Sequence, residues 1–259
     1  MFRKIVAATL AASAALFCAS TAEAGQNLVY IAGRTQTQWD GTVYGKSGYT
    51  TQYVRYDAWN STLPAANAAV RDQLGTWCSG GNTCIIVAYS NGLHQVAYTQ
   101  ANYPEKLTGL LYIQSGGAAY GGSNLLDGFT GSLASIFGAL YEPGVDTYLH
   151  VTSARNAYNH NSSANKLTYS IGGNTNAYNW IWALTAGFLP GDDDGVVSYH
   201  SAFGCVGTGS QGSGCSKWTS RTNRCNYSSG YCSNGECGGG LFSSGTDHFG
   251  IDDKAAYCF

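Results

Sequence analysis

Five consecutive residues, Cys84-Ile85-Ile86-Val87-Ala88, are apolar on both faces, and this constrains the fold more than any other feature. A strand with one side in water alternates apolar and polar residues. A strand apolar throughout is covered on both sides, as a central strand of a parallel sheet is. The flanking patterns agree. Asn27 to Ile31, ending at Gly33, predicts a buried strand, and Tyr53 to Tyr56 predicts another. Thr62 caps a helix with Pro64 in its first turn, and Ala66, Val70, Leu74 and Trp77 mark its apolar face. Gly92 to Asn102 predicts a helix stopped near Pro104. Leu110 to Ile113 and Leu167 to Ile171 predict further strands. Strands and helices alternate, so the expected fold class is α/β: a mostly parallel central sheet with helices on both faces.

Two stretches break this rhythm. Leu126, Phe129, Leu133, Ile136, Phe137 and Leu140 form an apolar stripe at helical spacing, read as a packing helix, with a lid over 124–142 as the sharper alternative. Residues 204–240 are rich in Gly, Ser and Cys and poor in aliphatic residues. That stretch cannot build its own core and is read as a disulfide-stapled surface excursion, not a second domain.

The N-terminus has the form of a signal peptide over residues 1–24. Arg3 and Lys4 precede an apolar stretch, Ile5 to Phe17, that is too short to span a bilayer. Ala22-Glu23-Ala24 fits the cleavage site, which would leave 25–259 as a single secreted domain, extracellular or periplasmic. A lipid anchor on Cys18 is disfavoured because bulky Phe17 precedes it. Of nine cysteines, eight remain after cleavage, an even number suited to disulfides in an oxidising compartment. Cys78 and Cys84 flank a short turn and are expected to pair. Cys205, Cys215, Cys225, Cys232, Cys237 and Cys258 allow fifteen pairings, among which the sequence does not choose. No C-x-x-C pair is present, which argues against zinc. The net charge of −2, from 13 basic and 15 acidic residues, gives no field for nucleic acid or anionic membrane. A monomer without a stable membrane anchor is expected.

The strongest chemical signal is Ala88-Tyr89-Ser90-Asn91-Gly92, placed where the buried strand ends and a helix begins. A sharp turn there projects a serine hydroxyl above the sheet edge, and it needs small residues two positions before and after the serine. Ser90 is therefore the candidate nucleophile. A serine hydroxyl needs a general base, and the base needs an orienting carboxylate. Of the histidines, His94 lies on a helix leading away from Ser90. His150 and His160 lie outside any motif, and His200 reads as a surface or packing residue. His248, in Gly245-Thr246-Asp247-His248-Phe249-Gly250, follows a predicted strand near Leu241-Phe242 and is the candidate base. Asp194, directly before Gly195, is the candidate acid. Asp192 and Asp193 are read as solvated or capping, and Asp247 as a poor orienter because it adjoins His248. Backbone N–H groups of Asn91 and of Arg34, in the loop after the first strand, are the candidate oxyanion donors. No cofactor or metal is called for. Calcium at Asp192, Asp193, Asp252 and Asp253 is the lesser reading of an acidic cluster.

The order of these motifs resembles the bacterial secreted lipases and esterases of the α/β-hydrolase superfamily. Ile31-Ala32-Gly33-Arg34 stands where they carry a His-Gly-x oxyanion loop, and residues 88–92 stand at their Gly-x-Ser-x-Gly. Ser115 to Ser123 is similar to their stretch after the next strand, and Asp194-Gly195-Val196-Val197 to their acid turn. Ala32 replaces the usual His, Ala88 the usual first Gly, and Ala119-Tyr120 the usual Pro-His. The resemblance implies hydrolysis of carboxylic esters through an acyl-enzyme, on a lipid, a small ester or a polyester. Acyl transfer or peptide cleavage by the same triad is the alternative. So is an inactive hydrolase fold that binds a surface through its many tyrosines.

Overall fold

The apolar run around Ile86 forms the strand β3, Thr83–Tyr89, buried at every position after the first. A computed structural model describes residues 24–34, 36–59, 61–128, 144–174, 189, 193–205, 219–224 and 243–244. Before β3 come the strands β1, Gln26–Ile31, and β2, Thr50–Tyr53, and the helix α1, Leu63–Cys78. After it come the helix α2, Asn91–Asn102, a 3-10 turn at Pro104–Leu107, and the strand β4, Leu110–Gly116. Three short helices follow: α3, Asn124–Gly128; α4, Val145–Leu149; and α5, Val151–Asn156. With the strands β5, Thr168–Ile171, and β7, Thr222–Arg224, the described residues form a six-stranded sheet in the order β2-β1-β3-β4-β5-β7, with every neighbouring pair parallel. A separate parallel pair joins β6, Gly173–Asn174, to β8, Ser243–Ser244.

Alternation along the strands divides the core. Val29, Ile31, Ile86 and Ala88 face one side, where Ala66, Val70 and Leu74 of α1 and Leu93, Val96 and Ala97 of α2 cover them. Leu28, Tyr30, Ile85 and Val87 face the other, against Trp39 and the rings of Tyr44, Tyr53 and Tyr112. Each fully buried aliphatic side chain contributes about 2 kcal/mol by leaving water. The Thr62 and Pro64 start of α1 is as expected, although Thr62 makes no side-chain capping bond. Trp77 is only partly buried against this core, and Cys78 beside it is fully buried.

Two differences from the sequence reading have physical causes. β2 lies at Thr50–Tyr53, three residues earlier than expected. Among the described residues it is an edge strand, half-exposed, so no apolar run marks it. Within the Cys-rich stretch, the polar Thr222–Arg224 pairs with β5 and belongs to the main sheet. Of the apolar stripe, the described part is α3, and 129–143 lie outside the described residues. The predicted signal peptide, apart from Ala24, also lies outside them, as do Asp192, Cys215, Cys225, Cys232, Cys237, His248 and Cys258. Cys78 and Cys84 are bonded to each other, as expected. Cys205 is also disulfide-bonded, with its partner outside the described residues. Among the described residues no helix is long and apolar enough to cross a membrane. Nor do three His, Cys, Asp or Glu side chains gather among them as a metal would need.

Candidate functional site

From β1 the chain runs outward to β2, then returns to β3 on the other side of β1. The carboxyl ends of β1 and β3 thus flank a reversal in strand order, where open α/β sheets form their crevices. Ser90 stands at the end of β3 and is the N-cap of α2, with φ 49° and ψ −121°. Among the described residues it is the one non-glycine residue at positive φ. Such a conformation costs about 1–3 kcal/mol and persists only where the surroundings enforce it. They do so here. The Ser90 N–H donates to the Gly116 carbonyl at 3.1 Å, and the Ser90 carbonyl accepts from the N–H groups of Leu93 and Ala119, both at 3.3 Å. The side chain makes no capping bond to α2.

Gly92, two positions after Ser90, and Gly33, after β1, are both required by space. A Cβ on Gly92 would lie 2.6 Å from the Ala32 carbonyl oxygen and 2.7 Å from that of Ile31. A Cβ on Gly33 would lie 2.8 Å from Ser90 Cβ. The crowding at Gly92 therefore comes from the neighbouring strand end. The same closeness brings the Gly33-Arg34 segment against Ser90.

That segment has no strand ladder to hold it, and side chains do so instead. The Tyr56 hydroxyl donates to the Ala32 carbonyl at 2.9 Å, and the Gly33 N–H donates to Gln36 Oε1 at 3.1 Å. Arg34 donates through Nε to Asp146 Oδ1 at 2.6 Å and through Nη2 to Asp146 Oδ2 at 2.8 Å. The Arg34 side chain thus points to a fully buried carboxylate, not simply to solvent. Asn91 is buried, and its Nδ2 donates to the Tyr148 hydroxyl at 3.0 Å. Burial raises the Tyr56 hydroxyl well above the ordinary tyrosine value and pushes Tyr148 up to about 12, so both stay protonated and neutral.

Asp194 is 1 % exposed and sits in a tight turn. Its Oδ1 accepts from the N–H groups of Val196 at 3.0 Å and Val197 at 2.7 Å. Asp193, less buried, uses Oδ1 to accept from the Gly195 N–H at 2.8 Å. The turn is fastened to the end of the loop after β4. Ser123 Oγ donates to the Val196 carbonyl, and Ser201 Oγ to the Gly122 carbonyl. The last residue of β4, Gly116, and the start of the same loop, at Ala119, hold Ser90. One loop, 116–123, therefore ties Ser90 to the Asp194 turn.

The other histidines are occupied elsewhere. His94 Nδ1 lies 3.1 Å from the Tyr158 hydroxyl, and His160 Nε2 donates to the Ala154 carbonyl at 3.0 Å. Burial holds His94 down at about 3, with the nearby His160 adding to the effect, and burial holds His160 down at about 4. His150 pairs with Asp127 at 2.9 Å. His200 is buried, with its Nε2 3.3 Å from Ser198 Oγ. His248 lies outside the described residues, four positions beyond the end of β8. β8 runs beside β6, which begins two residues after β5 ends at Ile171. Ile171 pairs in turn with Gly116, the partner of Ser90.

The structure brings together Ser90, Asn91 and the Gly33-Arg34 segment, and ties Asp194 to them through loop 116–123. No sequence signal marks Asp146, Tyr148 or Tyr56 as their supports. Arg34 and Asp146 are 112 residues apart, so no local pattern joins them.

No protein-family model matches the sequence, and no curated protein does. Solved structures do match in fold. The mature form of the Bacillus licheniformis lipase BlEst2 aligns with a TM-score of 0.56 at 14 % identity, over 90 % of this chain and 89 % of that one. The metagenomic carboxyl esterase MGS0156 aligns with a TM-score of 0.52 at 18 % identity, over 70 % of this chain and 60 % of that one. The chain thus has the α/β-hydrolase fold and resembles bacterial lipases and esterases in architecture.

Proposed function

We propose that this chain is a secreted serine hydrolase that cleaves carboxylic esters through an acyl-enzyme. Ser90 is the nucleophile, His248 the general base and Asp194 the carboxylate that orients it. The N–H groups of Arg34 and Asn91 form the oxyanion hole. The observation that carries this reading is the backbone of Ser90: positive φ on a serine, between the central strand and the helix that follows it. A strained, non-glycine turn at that place is what a nucleophile elbow requires. β8 runs beside β6, just beyond the end of β5 whose Ile171 pairs with Gly116, and it ends four residues before His248, which supports that residue as the base. The lipase and esterase named among the structural matches point to esters as substrates. The disulfides suit an oxidising compartment.

In this mechanism the His248 imidazole takes the Ser90 proton as Oγ bonds to the ester carbonyl carbon. The carbonyl oxygen becomes an oxyanion held by the two N–H groups, at the positive end of α2. Collapse of the tetrahedral species breaks the ester C–O bond. The imidazolium returns its proton to the departing alcohol, leaving Ser90 acylated. Water, deprotonated by the same imidazole, then attacks the acyl group and frees the acid and the serine. The neutral Tyr56 and Tyr148 hydroxyls add no negative charge beside the oxyanion. A panel of p-nitrophenyl esters of increasing acyl length tests the reading. Saturable hydrolysis is expected on part of the panel, and no turnover of any member would contradict it.

A further inference from the structure

The two residues assigned as oxyanion donors both have their side chains fastened to one short helix. Asp146 and Tyr148, two positions apart on α4, hold Arg34 and Asn91 respectively. The Arg34–Asp146 contact is bidentate, which fixes the plane of the guanidinium as well as its distance. The Tyr148 hydroxyl also accepts from Gln95 Nε2 at 3.0 Å, so it grips α2 at two points one turn apart. Tyr56 closes the circuit. Its hydroxyl accepts from Asn91 Nδ2 at 3.5 Å and donates to Ala32 and Gly33 carbonyls at 2.9 and 3.4 Å. A continuous ring of side-chain bonds therefore runs from Arg34 through α4 to Asn91 and back to the loop.

α4 is itself anchored. Val145, Tyr148 and Leu149 pack in one cluster with Ala119, Val197 and Phe203. The Ser123 N–H donates to the Leu149 carbonyl at 2.8 Å. The helix is thus built into the loop that ties Ser90 to the Asp194 turn. Residues 32–34, by contrast, extend past the last paired residue of β1 and depend on side chains for their place. Oxyanion stabilisation requires donors fixed before the reaction begins, and a displacement of about 1 Å costs roughly a hundredfold in rate.

We propose that α4 sets the separation of the two oxyanion donors, with Asp146 and Tyr148 as positioning residues for ester hydrolysis. This rests on the serine-hydrolase reading. The carboxylate of Asp146 neutralises the Arg34 guanidinium, so Arg34 serves through its backbone and its charge is not offered to substrate.

The test uses the full-length protein, wild type, Asp146→Asn and Tyr148→Phe, with a short p-nitrophenyl ester and an alkylboronic acid. The boronate forms a tetrahedral adduct with a nucleophilic serine and reports on the oxyanion hole directly. Each variant is expected to lose roughly ten- to a hundredfold in kcat, with KM changing less than about threefold. Boronate affinity is expected to fall by a factor matching the loss in kcat. A structural role alone would lower the melting temperature without that matched loss. Tyr148→Phe keeps the ring and decides the matter if Asp146→Asn does not fold. Variants with kcat and boronate affinity within about twofold of wild type, or with a change in KM alone, would overturn the positioning role. So would a loss of kcat without a loss of boronate affinity. A wild-type protein that neither turns over the ester nor binds the boronate overturns the serine-hydrolase reading, and this proposal with it.

Discussion

Gly92 lies against the end of the neighbouring strand so tightly that a Cβ there would stand 2.6 Å from the Ala32 carbonyl oxygen. That oxygen belongs to backbone held by Tyr56, so it cannot move aside cheaply. Gly92→Ala is therefore expected to cost about 2 kcal/mol through overpacking, with a melting temperature roughly 4–8 °C lower. It should also reduce ester turnover, because α2 must shift and Asn91 shifts with it. Thermal melts and initial rates check this, and an unchanged melting temperature would refute the close approach.

Asp194 and Asp193 are neighbours with different surroundings, and this sorts their roles. Asn at 194 keeps an oxygen to accept from Val196 and Val197, so the turn survives while the charge is lost. Asp194→Asn is expected to lower kcat on the order of a thousandfold or more, with little change in melting temperature. Asp193→Asn retains the acceptor for Gly195 and should cost little. If Asp193→Asn were the crippling change, the acid would have been assigned to the wrong residue.

How much of this was legible in the sequence depends on how each contact is made. β3 and α2 announce themselves, because burial on both faces forces a run such as Ile85-Ile86-Val87 and a strand-to-helix turn forces small residues such as Gly92. Edge strands carry no such mark. β2 reads Thr-Thr-Gln-Tyr and β7 reads Thr-Asn-Arg, and among the described residues each is paired on one side only. Long-range polar contacts leave no periodic trace at all. The Asp146 carboxylate is committed to Arg34 by the fold of the loop between them, which no spacing rule anticipates. The Ser90, Asn91 and Arg34 neighbourhood was readable from motifs, and the ring of side chains supporting it was not.

His94 and His160 predict the acid side of the stability curve. Burial lowers His94 to about 3 and His160 to about 4, from an ordinary value of 6.5. The unfolded chain therefore takes up protons first as pH falls, and stability drops with it. Stability should be at full value above pH 6.5 and fall progressively between 6.5 and the folded values. His94 packs against Tyr148 and Tyr158, and Tyr158 against His160, so replacement should stay polar and similar in size. His94→Gln is expected to flatten the dependence of melting temperature on pH between 6.5 and 4. An unchanged slope would show that His94 does not titrate on unfolding.

The Cys78–Cys84 bridge spans six positions and lies in the main core. So short a loop restricts the unfolded chain by about 2 kcal/mol. The turn is also held without it, since Gly109 N–H donates to the Cys78 carbonyl at 2.7 Å and Cys84 N–H to the Gly109 carbonyl at 3.0 Å. Cys78→Ala with Cys84→Ala should lower the melting temperature by roughly 5 °C and leave kcat unchanged. A collapse of activity in a folded double variant would instead make this bridge part of the site's support.

The central claim is that Ser90 is a nucleophile, and the most direct measurement is covalent labelling by a fluorophosphonate, mapped by peptide mass spectrometry. One stoichiometric adduct is expected, on the peptide carrying Ser90, with loss of ester hydrolysis in step with labelling. Ser90→Ala should take up no label and hydrolyse no ester while keeping the wild-type melting temperature. Undiminished labelling or hydrolysis in a folded Ser90→Ala protein would contradict it.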